Sequence, residues 1–291
     1  MMLRWLGWIV FVGPLFAQAA GNELLAQKTL GKLAAMDDRL DGTMGVAAVD
    51  LTTGERLCYH CDTWFPTAST IKVPVLVEVV RLIRAGKLSY EQRVPVSQSE
   101  VVPSSAAYAK AAAGPGALSV RELITIMIQN SDNSATNKLI DLAGGFAAVN
   151  TRMDEMNLPG IRLRRKMIDL QAARADRENI ATPRDMARLA EMLYSGRVLD
   201  AVSSREISEF MGLVEGDVRK AVAPVGTATK TGALDGVKCE FGIVRLKNRP
   251  FAIAVFGAYL DGESPVPGAA KIVFDHFRKL DRANAAGRFL E

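Results

Sequence analysis

Ser69 and Lys72 stand three residues apart in the stretch Thr67-Ala68-Ser69-Thr70-Ile71-Lys72, directly before the apolar run Val73-Pro74-Val75-Leu76-Val77. On a helix that spacing brings both side chains to one face. A serine hydroxyl is a weak nucleophile until a neighbouring base takes its proton. A lysine can be that base only if burial or a second cation lowers its pKa. The start of a helix adds N–H groups and a positive dipole end, which suit an oxyanion. Taken alone, the same pattern also fits an N-capping serine beside a solvated lysine. Two further short motifs, Ser131-Asp132-Asn133 and Lys230-Thr231-Gly232, follow in order along the chain. Each adds a hydroxyl, and the second adds a cation able to depress the pKa of Lys72.

These residues need elements to hold them. Leu24 to Leu40 has apolar residues at helical spacing. Thr43 to Leu51 and Glu55 to His60 read as a hairpin around Thr52-Thr53-Gly54. The Ser69 helix runs to Gly86. Residues 87–118 read as loop-rich, interrupted by Pro95, Pro103, Gly114, Pro115 and Gly116. Ser119 and Glu122 form a capping box for the next helix. Helices follow from about Ser134 to Ala143 and on to about Met156. Arg162 to Ala181 reads as a long ordered surface loop, and Thr182-Pro183 restarts a helix. Another helix spans Ser204 to Leu213. Beyond Lys230 the period changes to strands at Gly242 to Leu246 and Phe251 to Leu260. A helix from Pro265 to Arg282 closes the chain. The all-apolar Phe251–Leu260 segment suits a central strand. Strands at both ends with helices between predict one sheet built from both chain ends, with an all-helical domain inserted. The expected division is 20–64 with 203–291 for the sheet domain and 65–202 for the helical one.

The chain has 291 residues, 49% hydrophobic and 23% charged, with a net charge of +4. That composition fits a soluble folded protein with a sizeable core. The one dense basic run, Arg162, Arg164, Arg165 and Lys166, lacks interleaved aromatics, which argues against nucleic-acid binding. Residues 1–19 read as a signal peptide. Arg4 is the charged head, Trp5 to Phe16 the apolar stretch, and Ala17-Gln18-Ala19 the cleavage site, with cutting expected after Ala19. An uncleaved anchor is the alternative. The expected location is periplasmic or secreted, with no membrane span left after cleavage. The three cysteines, Cys58, Cys61 and Cys239, are expected to be structural or incidental. Cys58 and Cys61 would lie too far apart to pair in an extended strand; a disulfide or a zinc site is the alternative. His60 and His276 have no partners in sequence that would make a Ser-His-Asp site.

The three motifs together are those of class A β-lactamases and penicillin-binding proteins. The chain resembles a class A serine β-lactamase over nearly all of its mature length. The resemblance extends to Val120-Arg121-Glu122-Leu123, to the Gly144-Gly145 junction and to Ala181-Thr182-Pro183. It implies an α+β fold in three α/β/α layers, an antiparallel sheet flanked by helices plus the all-helical domain, with the site in the cleft between them and with no cofactor and no metal. The implied substrate is a small β-lactam or an acyl-D-Ala-D-Ala-like molecule, and the implied state is a monomer. Ser69 is the implied nucleophile and Lys72 its base or proton relay. Ser131 is the donor to the leaving nitrogen. Asn133 is the implied holder of the substrate side-chain amide and a contact of Lys72. Asp132 is a turn anchor. Lys230 and Thr231 are the implied partners of the substrate carboxylate. Gly232 and Ala233 line the same strand, and the N–H groups of Ser69 and Ala233 form the oxyanion hole. Tyr108 is either a rim of the cleft or a plain loop aromatic. Lys238 is either a further carboxylate partner or a solvated lysine.

One position departs from the pattern. The family carries Glu-x-x-Leu-Asn in its long loop, and that glutamate activates the deacylating water. Here the loop reads Lys166-Met167-Ile168-Asp169-Leu170-Gln171, which puts Met167 in the glutamate's place. A thioether is no general base. Asp169 is the nearest substitute, with a salt bridge to an adjacent arginine as its other role. The turn Ala233 to Val237 is also longer than is typical. Acylation is therefore expected and fast deacylation is not. A D-Ala-D-Ala peptidase or esterase, or a penicillin-binding or sensing module, are the alternative functions.

Overall fold

The computed structural model describes residues 14–284 and 286–290, with side chains from residue 21 onward. Residues 1–13 of the expected signal peptide lie outside the described residues. Among the described residues no helix is long and apolar enough to cross a membrane.

Five strands form one antiparallel sheet in the order Arg56–Tyr59, Thr43–Asp50, Phe251–Ala258, Val237–Val244, Thr227–Leu234. The all-apolar Phe251–Ala258 strand is central, buried at every position, as its composition predicts. Its register places Thr43 opposite Ala258 and Asp50 opposite Phe251, so the first and last strands of the chain lie side by side. Strand alternation then separates two cores. Met44, Val46, Ala48, Ile253 and Val255 face one way. There they meet Val273 and Phe277 of the Val266–Arg282 helix, Leu33 of the Pro14–Asp37 helix and Val218 of the Asp217–Val222 helix. Ala47, Val49, Ala252, Ala254 and Phe256 face the other way. They join Met186, Ala187 and Ala190 of the Pro183–Tyr194 helix and the remaining helices in the larger core. This is the expected α/β/α layering.

The Lys72–Arg84 helix runs through that larger core, with ten of its residues buried from Lys72 to Leu82. Its one buried acid, Glu78, is neutralised by Arg81 at 2.6 Å and Arg152 at 3.3 Å. The capping box forms as expected. Ser119 Oγ accepts from the Glu122 N–H at 3.1 Å, and Glu122 accepts the Ser119 N–H in return at 2.6 Å. Thr182 caps the Pro183–Tyr194 helix.

Four expectations need correction. The loop 87–118 contains a helix, Ala106–Ala113. Its alanines carry little apolar periodicity, and flanking prolines and glycines hide it. The penultimate strand starts at Val237 rather than Gly242, because the hairpin turn after Leu234 is tight. Cys58 and Cys61 are joined in a disulfide. His60 takes a left-handed φ of 46°, which ends the strand and folds the chain back, so the two Cα atoms come within 5.2 Å. Tyr108 is no cleft rim: it is fully buried, with its hydroxyl donating to Glu100 at 2.6 Å.

Candidate active site

Ser69 lies in a single turn of tighter helix, Ala68–Ile71, that leads straight into the Lys72–Arg84 helix. The turn is set by Ala68, held at a left-handed φ of 43°. A non-glycine residue there costs energy that the surroundings must repay, and such residues gather at functional sites. Thr67 donates both its N–H and its hydroxyl to the Asn179 carbonyl, at 2.9 and 3.1 Å. The Thr70 hydroxyl donates to the Thr67 carbonyl at 2.7 Å. The edge strand presses close above: a Cβ on Gly232 would lie 2.7 Å from Cys239 Sγ and 3.0 Å from the Ser69 nitrogen. Only glycine lets that strand approach the nucleophile.

Ser131 caps this arrangement from the junction of two helices, Val120–Gln129 and Asn133–Leu142. It too is left-handed, with φ 55°. Asp132 holds the junction in shape. One carboxylate oxygen accepts the Ala135 N–H at 2.9 Å and the other the Tyr108 N–H at 3.1 Å. This is the expected turn-anchor role.

The three motifs converge through hydrogen bonds. Lys72 Nζ donates to the Ser131 carbonyl at 2.5 Å, to Ser131 Oγ at 3.1 Å and to Asn133 Oδ1 at 2.9 Å. Lys230 Nζ donates to the same Ser131 Oγ at 3.1 Å and to the Thr231 carbonyl at 3.0 Å. The Ser131 hydroxyl therefore bridges two lysines and keeps its own proton free to donate. Asn133 Nδ2 donates to the Pro103 carbonyl at 3.0 Å. No hydrogen bond joins Ser69 Oγ to Lys72 among the described residues; such bonds often tighten only when substrate is bound.

Burial, and then the charge of Lys230, hold the Lys72 pKa well below the ordinary lysine range. Burial also lowers Lys230, to about 8. Two ammonium groups sharing one hydroxyl in a dry site cannot both stay charged cheaply. Burial and the neighbouring charge both favour a neutral Lys72.

Ser69, Ser131, Asn133, Thr231, Gly232 and Ala233 line one cleft of about 390 Å3. Lys238 lines it as well, beside the edge strand. So do residues that the motif reading did not single out, notably Ser104, Asn130, Cys239 and Glu240. The signal for the last two was present: they follow Lys238 on the strand that must pair with Lys230-Thr231-Gly232.

The long loop is tied down at several points. Asn179 Oδ1 accepts the N–H groups of Arg164 and Arg165 at 2.7 and 3.0 Å. Arg165 grips Glu178 through two nitrogens at 2.9 and 3.0 Å. Met167 is buried, its backbone paired to the Asn137 amide at 2.7 and 3.2 Å. Among the described residues Asp169 forms no ion pair with an arginine. Its carboxylate caps the short helix Leu170–Arg174 by accepting the Ala172 N–H at 2.9 Å. It is not among the residues lining the cleft. Two more residues of the basic run pair with acids in the same way, Arg162 with Asp154 and Lys166 with Asp141.

Residues 27–275 match the family model of the beta-lactamase enzyme family. Among solved structures, the last common ancestor of Gram-negative bacteria class A β-lactamase is 28% identical. The match covers 87% of this chain and 99% of that one, with a TM-score of 0.78. A class A β-lactamase from Mycobacterium abscessus shares the fold at a TM-score of 0.79 and 23% identity, covering 86% of this chain and 99% of that one. The chain belongs to the beta-lactamase enzyme family, with the class A serine fold. That membership makes it a hydrolase acting on β-lactams.

Proposed function

We propose that the chain opens β-lactam rings through an ester on Ser69. Neutral Lys72 takes the Ser69 proton as Oγ attacks the lactam carbonyl. The N–H groups of Ser69 and Ala233 receive the oxyanion. On collapse the C–N bond breaks, and the Ser131 hydroxyl protonates the departing nitrogen. Lys72 returns a proton to Ser131, so the count closes. Lys230 and Thr231 hold the acid end of the substrate, and Asn133 holds its side-chain amide. The single observation that carries this reading is the Ser131 hydroxyl bridging Lys72 and Lys230 at 3.1 Å each.

Water must then release the acyl group, and here the loop matters. Met167 supplies no base, and Asp169 Oδ1 caps the Leu170–Arg174 helix outside the cleft lining. Release is then the slower half of turnover, in a chain that still acts as a β-lactam hydrolase. The apolar head of the sequence supports export, and the working form is read as a monomer. Time-resolved intact-protein mass spectrometry with a penicillin tests the proposal, alongside Ser69→Ala. A mass increase by one penicillin, absent in Ser69→Ala and decaying slowly, is expected. Equal labelling of Ser69→Ala would overturn it.

A further inference from the structure

Glu240 stands in the cleft wall and has no part in the steps above. It pairs directly with Thr231 in the sheet register, so the two side chains project from the same face. It is 1% exposed. Its Oε2 accepts the N–H groups of Asp217 and Val218, at 2.8 and 3.1 Å, where the Asp217–Val222 helix begins. On the same face the Thr229 hydroxyl bears on the carboxyl as its hydrogen-bonding neighbour. The carboxyl is wedged in place: a Cβ on Gly216 would lie 2.1 Å from Oε1. Burial raises its pKa and the Asp217 carboxylate adds to that, while hydrogen bonds from Thr229 and from the Val218 and Asp217 N–H groups favour the charged form; its charge in turn bears on Lys230 of the neighbouring strand. Cys239 lies next to it in the chain, its thiol donating to the Thr67 carbonyl at 3.1 Å, and Lys238 is two residues back on the same face.

A buried acid is costly even when hydrogen-bonded and calls for a reason. Helix capping uses one of its two oxygens. Its place in the cleft accounts for the rest. Beside Thr231, its charge opposes that of Lys230 where the acid end of a substrate is held.

We propose that Glu240 is a specificity-determining residue that weakens selection for a free carboxylate, so that acyl substrates whose acid end is neutral are accepted alongside anionic ones. The inference rests on the proposed role of Lys230 and Thr231. A cationic wall alone would favour anions strongly; a carboxylate in the same wall flattens that preference. Glutamine is the informative replacement. It removes the charge while its amide oxygen still accepts from Asp217 and Val218.

The test compares benzylpenicillin with its methyl ester, which differs in the charge of the acid end. Second-order acylation rates are read by intact mass for the parent chain, Glu240→Gln and Glu240→Asp. In Glu240→Gln the acid-to-ester rate ratio should rise about five- to tenfold, chiefly through tighter binding of the acid. Glu240→Asp keeps the charge and should keep the parent ratio. A Glu240→Gln ratio within twofold of the parent's would overturn the inference while leaving the acyl-serine reading intact, and so would an equal shift in Glu240→Asp. A parent chain acylated by neither compound would overturn both.

Discussion

Replacing Ser131 by glycine separates the chemistry of its hydroxyl from its place in the fold. The substitution removes an acceptor that takes two hydrogen bonds at 3.1 Å, one from Lys72 and one from Lys230. Each lysine keeps other partners: Lys72 the residue-131 carbonyl and Asn133 Oδ1, and Lys230 the Thr231 carbonyl. Two lost bonds of this kind cost about 2–3 kcal/mol. Against that, glycine relieves the left-handed φ of 55° by about 1–2 kcal/mol and loses about 0.5–1 kcal/mol in backbone entropy. The net is a destabilisation of about 2 kcal/mol, which lowers Tm by only a few degrees in a chain of this length. Losing the proton donor to the leaving nitrogen acts on the barrier instead, by about 3–5 kcal/mol, a rate loss of about 10²–10⁴. The assay is acylation by a penicillin at 25 °C, followed by intact mass, with thermal unfolding of the same samples. Ser131→Ala should be less stable than Ser131→Gly, because it keeps the strained backbone, and equally slow. Acylation of Ser131→Gly within about threefold of the parent rate would refute the proton-donor role.

Met167→Glu restores a carboxylate at a site that is 7% exposed. The acyl-enzyme lifetime should shorten by about 10²-fold, with a lower Tm because a buried carboxyl is costly; an unchanged adduct lifetime would count against the loop as the limiting element. Lys230 is lowered to about 8 by burial, so its charge is lost as pH rises past that value. Acylation by an anionic lactam should fall between pH 8 and 10, and a flat profile to pH 10 would remove Lys230 from substrate binding. His276 is buried, with Nδ1 3.0 Å from Thr29 Oγ1, and burial lowers its pKa to about 4. Its native pKa lies below the unfolded value, so the neutral ring contributes stability that is full above about pH 6.5 and lost as pH falls towards 4. Urea titrations at pH 7.5 and 4.5 should differ by about 2.5 kcal/mol more in the parent than in His276→Gln.

Much of this site was legible in the sequence because its chemistry depends on short local spacings. Ser69 and Lys72 are joined by one helical turn, and Ser131 with Asp132 and Asn133 by one capped junction. Lys230-Thr231-Gly232 is one stretch of strand. What escaped reading depends on contacts between distant residues. The Asp217–Val222 helix begins at N–H groups capped by Glu240, more than twenty residues on, and no local cap announces it. The Cys58–Cys61 bond depends on the backbone of His60, a residue with no strong tendency to declare a left-handed turn. Tyr108 sits in a helix that short-range pattern did not reveal, and its burial follows from that helix packing inward. Asp169 was legible as a carboxylate near the right place, but the helix start it caps was not.

The pairing of Thr43–Asp50 with Phe251–Ala258 has a consequence for assembly. Within the sheet the first strand can pair only with its hairpin neighbour, Arg56–Tyr59, until some two hundred more residues exist. On a ribosome the central strand of the sheet emerges almost last. The nucleophile turn, the Ser131 junction and the long loop are all made before the sheet can close. Contacts this far apart in sequence make folding slow. The chain therefore spends its synthesis without a completed sheet, and the cleft comes into being only when the two ends find each other.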